Sequence, residues 1–97
     1  MTVTLHRSVR AEVDKIMDRY EAVAGPHLAD EFYSELYSLI RKASQNPRRF
    51  RIIEGDLRRA NLKRFPYHFL YRELPDGIRI TLVRHHHRDP EHGMQRR

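Results

Sequence analysis

Val3 and Leu5 alternate with Thr2, Thr4 and His6, and this period of two predicts a short strand at the start of the chain. Ser8 stands where a helix N-cap belongs. After it Val9, Val13, Ile16, Met17, Tyr20 and Val23 recur at helical spacing and mark the apolar face of an amphipathic helix. Gly25-Pro26 ends that helix and opens the next, with Gly as a C-terminal stop and Pro as a preset first turn. The second helix is predicted from about Pro26 to Gln45, with Leu28, Phe32, Leu36, Leu39, Ile40 and Ala43 buried. Asp30 and Glu31 lie near its positive end and Arg41 and Lys42 near its negative end, as the helix dipole favours. Tyr33 and Tyr37 form a flanking stripe, read as core or a partner groove rather than as chemistry. Two helices joined by so short a turn form a hairpin, which Asn46-Pro47 closes.

Beyond Pro47 the period changes from 3.6 to 2. A connecting segment over 48–56 holds a possible short strand at Phe50-Arg51-Ile52-Ile53, closed by Glu54-Gly55-Asp56. Ala60 and Leu62 then alternate with Arg59, Asn61 and Lys63, and Phe65-Pro66-Tyr67 interrupts, since Pro66 cannot donate to a ladder. His68 to Leu74 is a second strand, Pro75-Asp76-Gly77 a hairpin turn, and Ile78 to His85 a third strand. In that third strand Ile78, Ile80 and Leu82 should share one face, against Arg79, Thr81 and Val83. The order is β-α-α-β-β-β, an α+β fold in which the strand and helical hairpin pack on one face of a small antiparallel sheet and leave the other open. Residues 91–97 carry no apolar pattern and are expected to fray as a flexible tail on a single domain spanning 1–97.

Composition narrows the function classes. At 97 residues and 39% hydrophobic, the chain supports one core. No apolar run approaches the roughly 18 residues of a membrane span, and the first residues do not read as a signal peptide. Cysteine is absent, which removes disulfides and thiolate metal sites and suits a cytoplasmic location. Charge is uneven: residues 1–47 hold 6 basic and 7 acidic side chains, whereas residues 48–97 hold 13 and 6, a net of +7. Strand alternation with Ala60, Leu62, Phe69 and Tyr71 facing the helices turns Arg59, Asn61, Lys63, His68, Leu70 and Arg72 outward. A cationic outer face of this kind suits phosphates or an acidic protein surface.

The run Arg64-Phe65-Pro66-Tyr67-His68-Phe69-Leu70-Tyr71-Arg72, the Pro-Asp-Gly hairpin, and His85-His86-His87-Arg88-Asp89-Pro90 resemble the R-F-P-Y-x-x-x-Y-R and H-x-x-R-D-P signatures of the RelE/ParE superfamily of type II toxins. The helical hairpin matches too, through Ala29, Phe32 and Leu36 and its Asn46-Pro47 end. The resemblance implies a partner antitoxin whose flexible, often acidic segment folds over the toxin. It also implies one of two targets. ParE-like members bind and poison DNA gyrase, whereas RelE-like members cut messenger RNA on the ribosome without metal. Carried over by position, the nuclease set is incomplete. Arg59 and Arg88 match, but Asn61 replaces a lysine, His68 an arginine, and no tyrosine follows Arg88. The signatures favour the ParE-like branch.

The expected binding surface is Arg59, Lys63, His68, Arg72, His85 and Arg88; in the nuclease alternative Arg59 and Arg88 would stabilise phosphate charge and His68 or His85 would move a proton. No cofactor is implied. His85, His87, Asp89 and His92 suggest a metal site only loosely, since no third ligand of fixed geometry can be named, and His86 and His87 read as ordinary exposed residues. Arg64 and Arg72 are placed to pair with Glu54, Asp56 or Glu73, and Tyr67 and Tyr71 read as core. A small basic nucleic-acid-binding module is a further alternative, although its outward positions lack stacking aromatics.

Overall fold

A computed structural model describes residues 2–87 and 93–97. The elements are β1 (Thr2–Leu5), α1 (Val9–Ala24), α2 (Pro26–Gln45), a 3-10 turn (Pro47–Arg49), β2 (Arg51–Glu54), β3 (Leu57–Asn61), β4 (Tyr67–Leu74) and β5 (Gly77–His85). The five strands lie in the order β1-β5-β4-β3-β2. Strands β2 to β5 form an antiparallel meander, as the turn residues predict. β1 joins the free edge of β5 in parallel, Thr2 opposite Gly77 and Leu5 opposite Ile80, so the sheet is mixed. Gly77 permits that approach, because a Cβ there would collide with the Thr2 carbonyl.

The helix boundaries follow the chain's own signals, with one substitution of means. Ser8 makes no side-chain cap on α1; the backbone N–H groups of Ser8 and Val9 instead donate to His6, at its Nδ1 (3.1 Å) and its carbonyl (3.0 Å). Gly25, with φ of 85°, takes the left-handed conformation that turns α1 directly into α2. The hairpin lays Val9, Ile16, Phe32, Leu36 and Ala43 on Ala60, Phe69, Tyr71, Ile78 and Ile80. Tyr20, Phe32, Phe65 and Tyr67 interlock across this layer, with neighbouring ring centroids 5.2–6.2 Å apart. Phe32, Phe65 and Tyr67 are buried, and each contributes about 1.5–3 kcal/mol. The buried Tyr71 hydroxyl donates to the Pro47 carbonyl at 2.6 Å, and burial pushes its pKa up to about 12.

β5 departs from simple alternation. Leu70 opposes Leu82 but Tyr71 opposes Ile80, which leaves Thr81 as the extra residue of a bulge. Ile78 and Ile80 face the helices as expected. Past the bulge the sides exchange: Val83 joins the helix-side core, and Leu82 joins Leu57 and Leu70 on the outer face. One inserted residue is enough to reverse every later side chain.

That reversal changes the outer face. Its centre is an apolar cluster of Leu57, Leu70 and Leu82, each at most 1% exposed, with Ile53 and Met94 packed against it. The expectation of an open, polar and basic face, with Leu70 its one apolar member, is therefore corrected: the centre is an apolar cluster, and residues 93–97 cover it. Residues 93–97, expected to fray, lie against the sheet, with the Arg96 guanidinium donating to Glu12 (2.8 Å) and to the Thr81 carbonyl (3.1 Å). The helices do not cover this side.

Candidate functional site

The cationic part of the outer face gathers where β3, β4 and the end of β5 meet. β3 presents Arg59, whose Nε donates to Asn61 Oδ1 at 2.7 Å. Register sets Arg51 of β2 opposite Arg59, and His68 of β4 opposite Asn61 and Arg84. Immediately after β5 the chain turns, and the His86 N–H donates to the Pro66 carbonyl at 2.9 Å. Pro66 sits in a tight turn in which the Tyr67 N–H donates to the Phe65 carbonyl at 2.8 Å. The R-F-P-Y motif thus has a local role: it seats Phe65 and Tyr67 in the core and offers a carbonyl that fixes His86.

His86 stacks on His68, with ring centroids 5.2 Å apart and planes 9° from parallel. Hydrogen bonding assigns both tautomers. Arg84 Nε donates to His68 Nε2 at 3.3 Å, so the His68 proton resides on Nδ1. That proton points at His86 Nδ1, 3.0 Å away, which also faces Arg59 Nη2 at 3.4 Å. His86 Nδ1 is then an acceptor, and its own proton lies on Nε2. The result is a neutral imidazole pair between two guanidinium groups. Burial first, and Arg59 and Arg84 next, hold His68 down to a pKa of about 3. Burial and Arg59 likewise lower that of His86. Burial, then Arg51, lowers that of Arg59, which still stays charged at neutral pH.

Among the described residues no carboxylate pairs with Arg59; its polar partners are Asn61 and His86. A half-buried guanidinium facing neutral acceptors keeps its full charge available to an incoming acidic group.

The six sequence-predicted residues do not converge on one spot. Arg59 and His68 meet as described, but His68 is only 1% exposed and offers no free edge to a partner. Lys63 lies beyond the end of β3, exposed, in a turn held by Glu35, whose carboxylate accepts the Lys63 and Arg64 N–H groups at 2.6 and 3.2 Å. Arg72 is on the outer face but engaged, pairing with Asp56 and donating to the Met94 and Arg96 carbonyls. Arg64 pairs with Glu31 of α2 at 2.8 Å, rather than with a strand carboxylate. His85 points to the helix side, where its ring meets Tyr67 edge-on at 5.1 Å and its Nδ1 accepts the His87 N–H. It belongs to a groove against α1 lined by Glu12, Lys15 and Arg19, not to the outer face. Arg88 lies outside the described residues, as do Asp89 and His92, and among the described residues no three His, Asp or Glu side chains form a cluster able to hold a metal.

Arg51, Arg84 and His86 are members that sequence reasoning missed. Arg51 could have been found by pairing β2 with β3. Arg84 needed the bulge, and His86 needed the turn onto Pro66, which no spacing signals.

A two-helix hairpin on a five-stranded sheet, with a basic rim on the far side, defines a small α+β protein of toxin-like architecture. The family model described as ParE toxin of type II toxin-antitoxin system, parDE, matches residues 3–90, and the chain belongs to that family. A solved structure, described as the chromosomal ParDE TA system from P. aeruginosa, has a TM-score of 0.75 at 23% identity, covering 88% of this chain and 95% of that chain. No curated protein matches the chain. Membership makes this chain a type II toxin of ParE type and implies a cognate antitoxin. Among the described residues no helix is long and apolar enough to cross a membrane.

Proposed function

We propose that this ParE-type toxin acts in the cytoplasm by binding and inhibiting DNA gyrase, with Arg59 and its neighbours Arg51 and Lys63 as the charged part of the contact, and that antitoxin neutralises it. A role in plasmid stabilisation fits the same reading. The observation that carries it is the neutral His68–His86 pair beside an Arg59 that pairs with no carboxylate among the described residues. A general acid or base needs a pKa near the working pH and a free nitrogen to exchange a proton. His68 has neither, because both its nitrogens are engaged and its pKa is about 3. His85, the other candidate, sits on the opposite side of the sheet from Arg59. The arrangement therefore supports binding over RNA cleavage.

Brief induction in a bacterial host separates the two. Chromosome breaks with intact transcripts are expected. Transcripts cut at ribosomes while the DNA stays whole would overturn the gyrase reading in favour of the nuclease.

A further inference from the structure

We propose that residues 93–97 are a displaceable strap over the outer face: closed, they cover the Leu57–Leu70–Leu82 patch and occupy Arg72, and by local detachment they release both for the target. The inference rests on the reading above for the identity of the target surface, but not for the motion itself.

The strap is attached by side chains. Met94, with Ile53, packs against the leucine cluster. Arg72 Nη2 donates to the Met94 and Arg96 carbonyls at 3.1 and 3.2 Å. Arg96 Nη1 bridges Glu12 Oε2 and the Thr81 carbonyl at 2.8 and 3.1 Å. Among the described residues no backbone–backbone hydrogen bond joins the strap to the sheet; the Arg96 N–H donates within the strap, to the Gly93 carbonyl at 3.2 Å. A segment without ladder bonds can leave as a unit while the sheet stays intact.

The charged anchors of the closed state are ion pairs that a partner can exchange. Arg96 pairs with Glu12, and Arg72, which holds the strap carbonyls, pairs with Asp56. An acidic partner surface would compete with these two carboxylates. Gly93 supplies the bend: its φ is +79°, and a Cβ there would lie 3.0 Å from Leu82 Cδ2. What the strap uncovers is an apolar patch bordered by cations, the composition of a protein-binding surface.

The chain has no cysteine, so Leu82→Cys gives a single thiol beneath the strap. Its alkylation by iodoacetamide is expected to proceed through an opening with little urea dependence. Adding Arg96→Ala should speed it at least tenfold with the helical circular-dichroism midpoint unchanged. Alkylation that instead follows global unfolding, with the same urea dependence and the same shift on Arg96→Ala, overturns the strap. Should the cysteine variant not fold, Gly93→Ala in the natural chain should lift the strap and raise hydrophobic-dye fluorescence several-fold without loss of helical signal; unchanged dye binding in the folded variant overturns it. In cells at matched protein levels, Arg96→Ala should lower the inducer needed for growth arrest at least threefold. Weaker or equal arrest refutes a covering role. Absence of arrest from the natural chain as well counts against the toxin reading, and the alkylation result then decides the strap alone.

Discussion

An imidazole between two guanidinium groups is most stable uncharged, and His68 and His86 make that preference part of the folding free energy. The folded pKa of His68, about 3, lies below the 6.5 of an unfolded chain, so the unfolded state takes up the proton first as pH falls. The associated stability is fully present above pH 6.5 and is lost progressively on descent toward 3. Its slope reaches about 1.4 kcal/mol per pH unit for one proton. Urea midpoints at pH 7.5, 6 and 5 should therefore decline, and His68→Gln, which still offers an acceptor and a donor, should flatten the decline. A flat profile for the natural chain would contradict the neutral pair. At the same scale Tyr71→Phe strands the Pro47 carbonyl and should cost about 1 kcal/mol in urea unfolding. Residue types were legible in the sequence, as Arg59 shows. Residue company was not: the stacking of His86 on His68 depends on a turn onto Pro66 that hydropathy does not encode.

The elements are where the chain speaks most plainly. From Val9 to Ala43 a 3.6-residue period runs unbroken except at Gly25-Pro26, and the helical hairpin could be drawn from it directly. The strands were located by alternation and turn residues, but the sidedness of β5 was not. Alternation has no mark for a bulge, and Thr81 is as acceptable in a regular strand as in an irregular one. The misplacement of Leu82 then hid the outer apolar cluster and, with it, the docking of Met94. Leu70→Ala tests that cluster: it is fully buried outside the helical core, and the loss should be about 2–5 kcal/mol in urea unfolding. A loss below about 0.5 kcal/mol would mean that the outer cluster contributes little. Gly77→Ala tests the β1 seam. The added methyl meets the Thr2 carbonyl, so amide exchange over Thr2–Leu5 should quicken while β3 and β4 remain protected.

At the scale of the whole molecule, a net charge of +6 is concentrated in the half that builds the sheet, while the near-neutral half covers the opposite side. This asymmetry favours an acidic partner surface, so the proposed binding to gyrase should weaken as salt rises. Within that field Arg59 is the proposed contact, half-buried, held by Asn61 and without a carboxylate among the described residues. The decisive measurement is inhibition of gyrase supercoiling by the purified chain and by Arg59→Glu, with unfolding midpoints recorded in parallel. The natural chain is expected to inhibit, and the folded variant to need at least ten times the concentration. Equal inhibition by a folded Arg59→Glu, or none by the natural chain, would contradict the account.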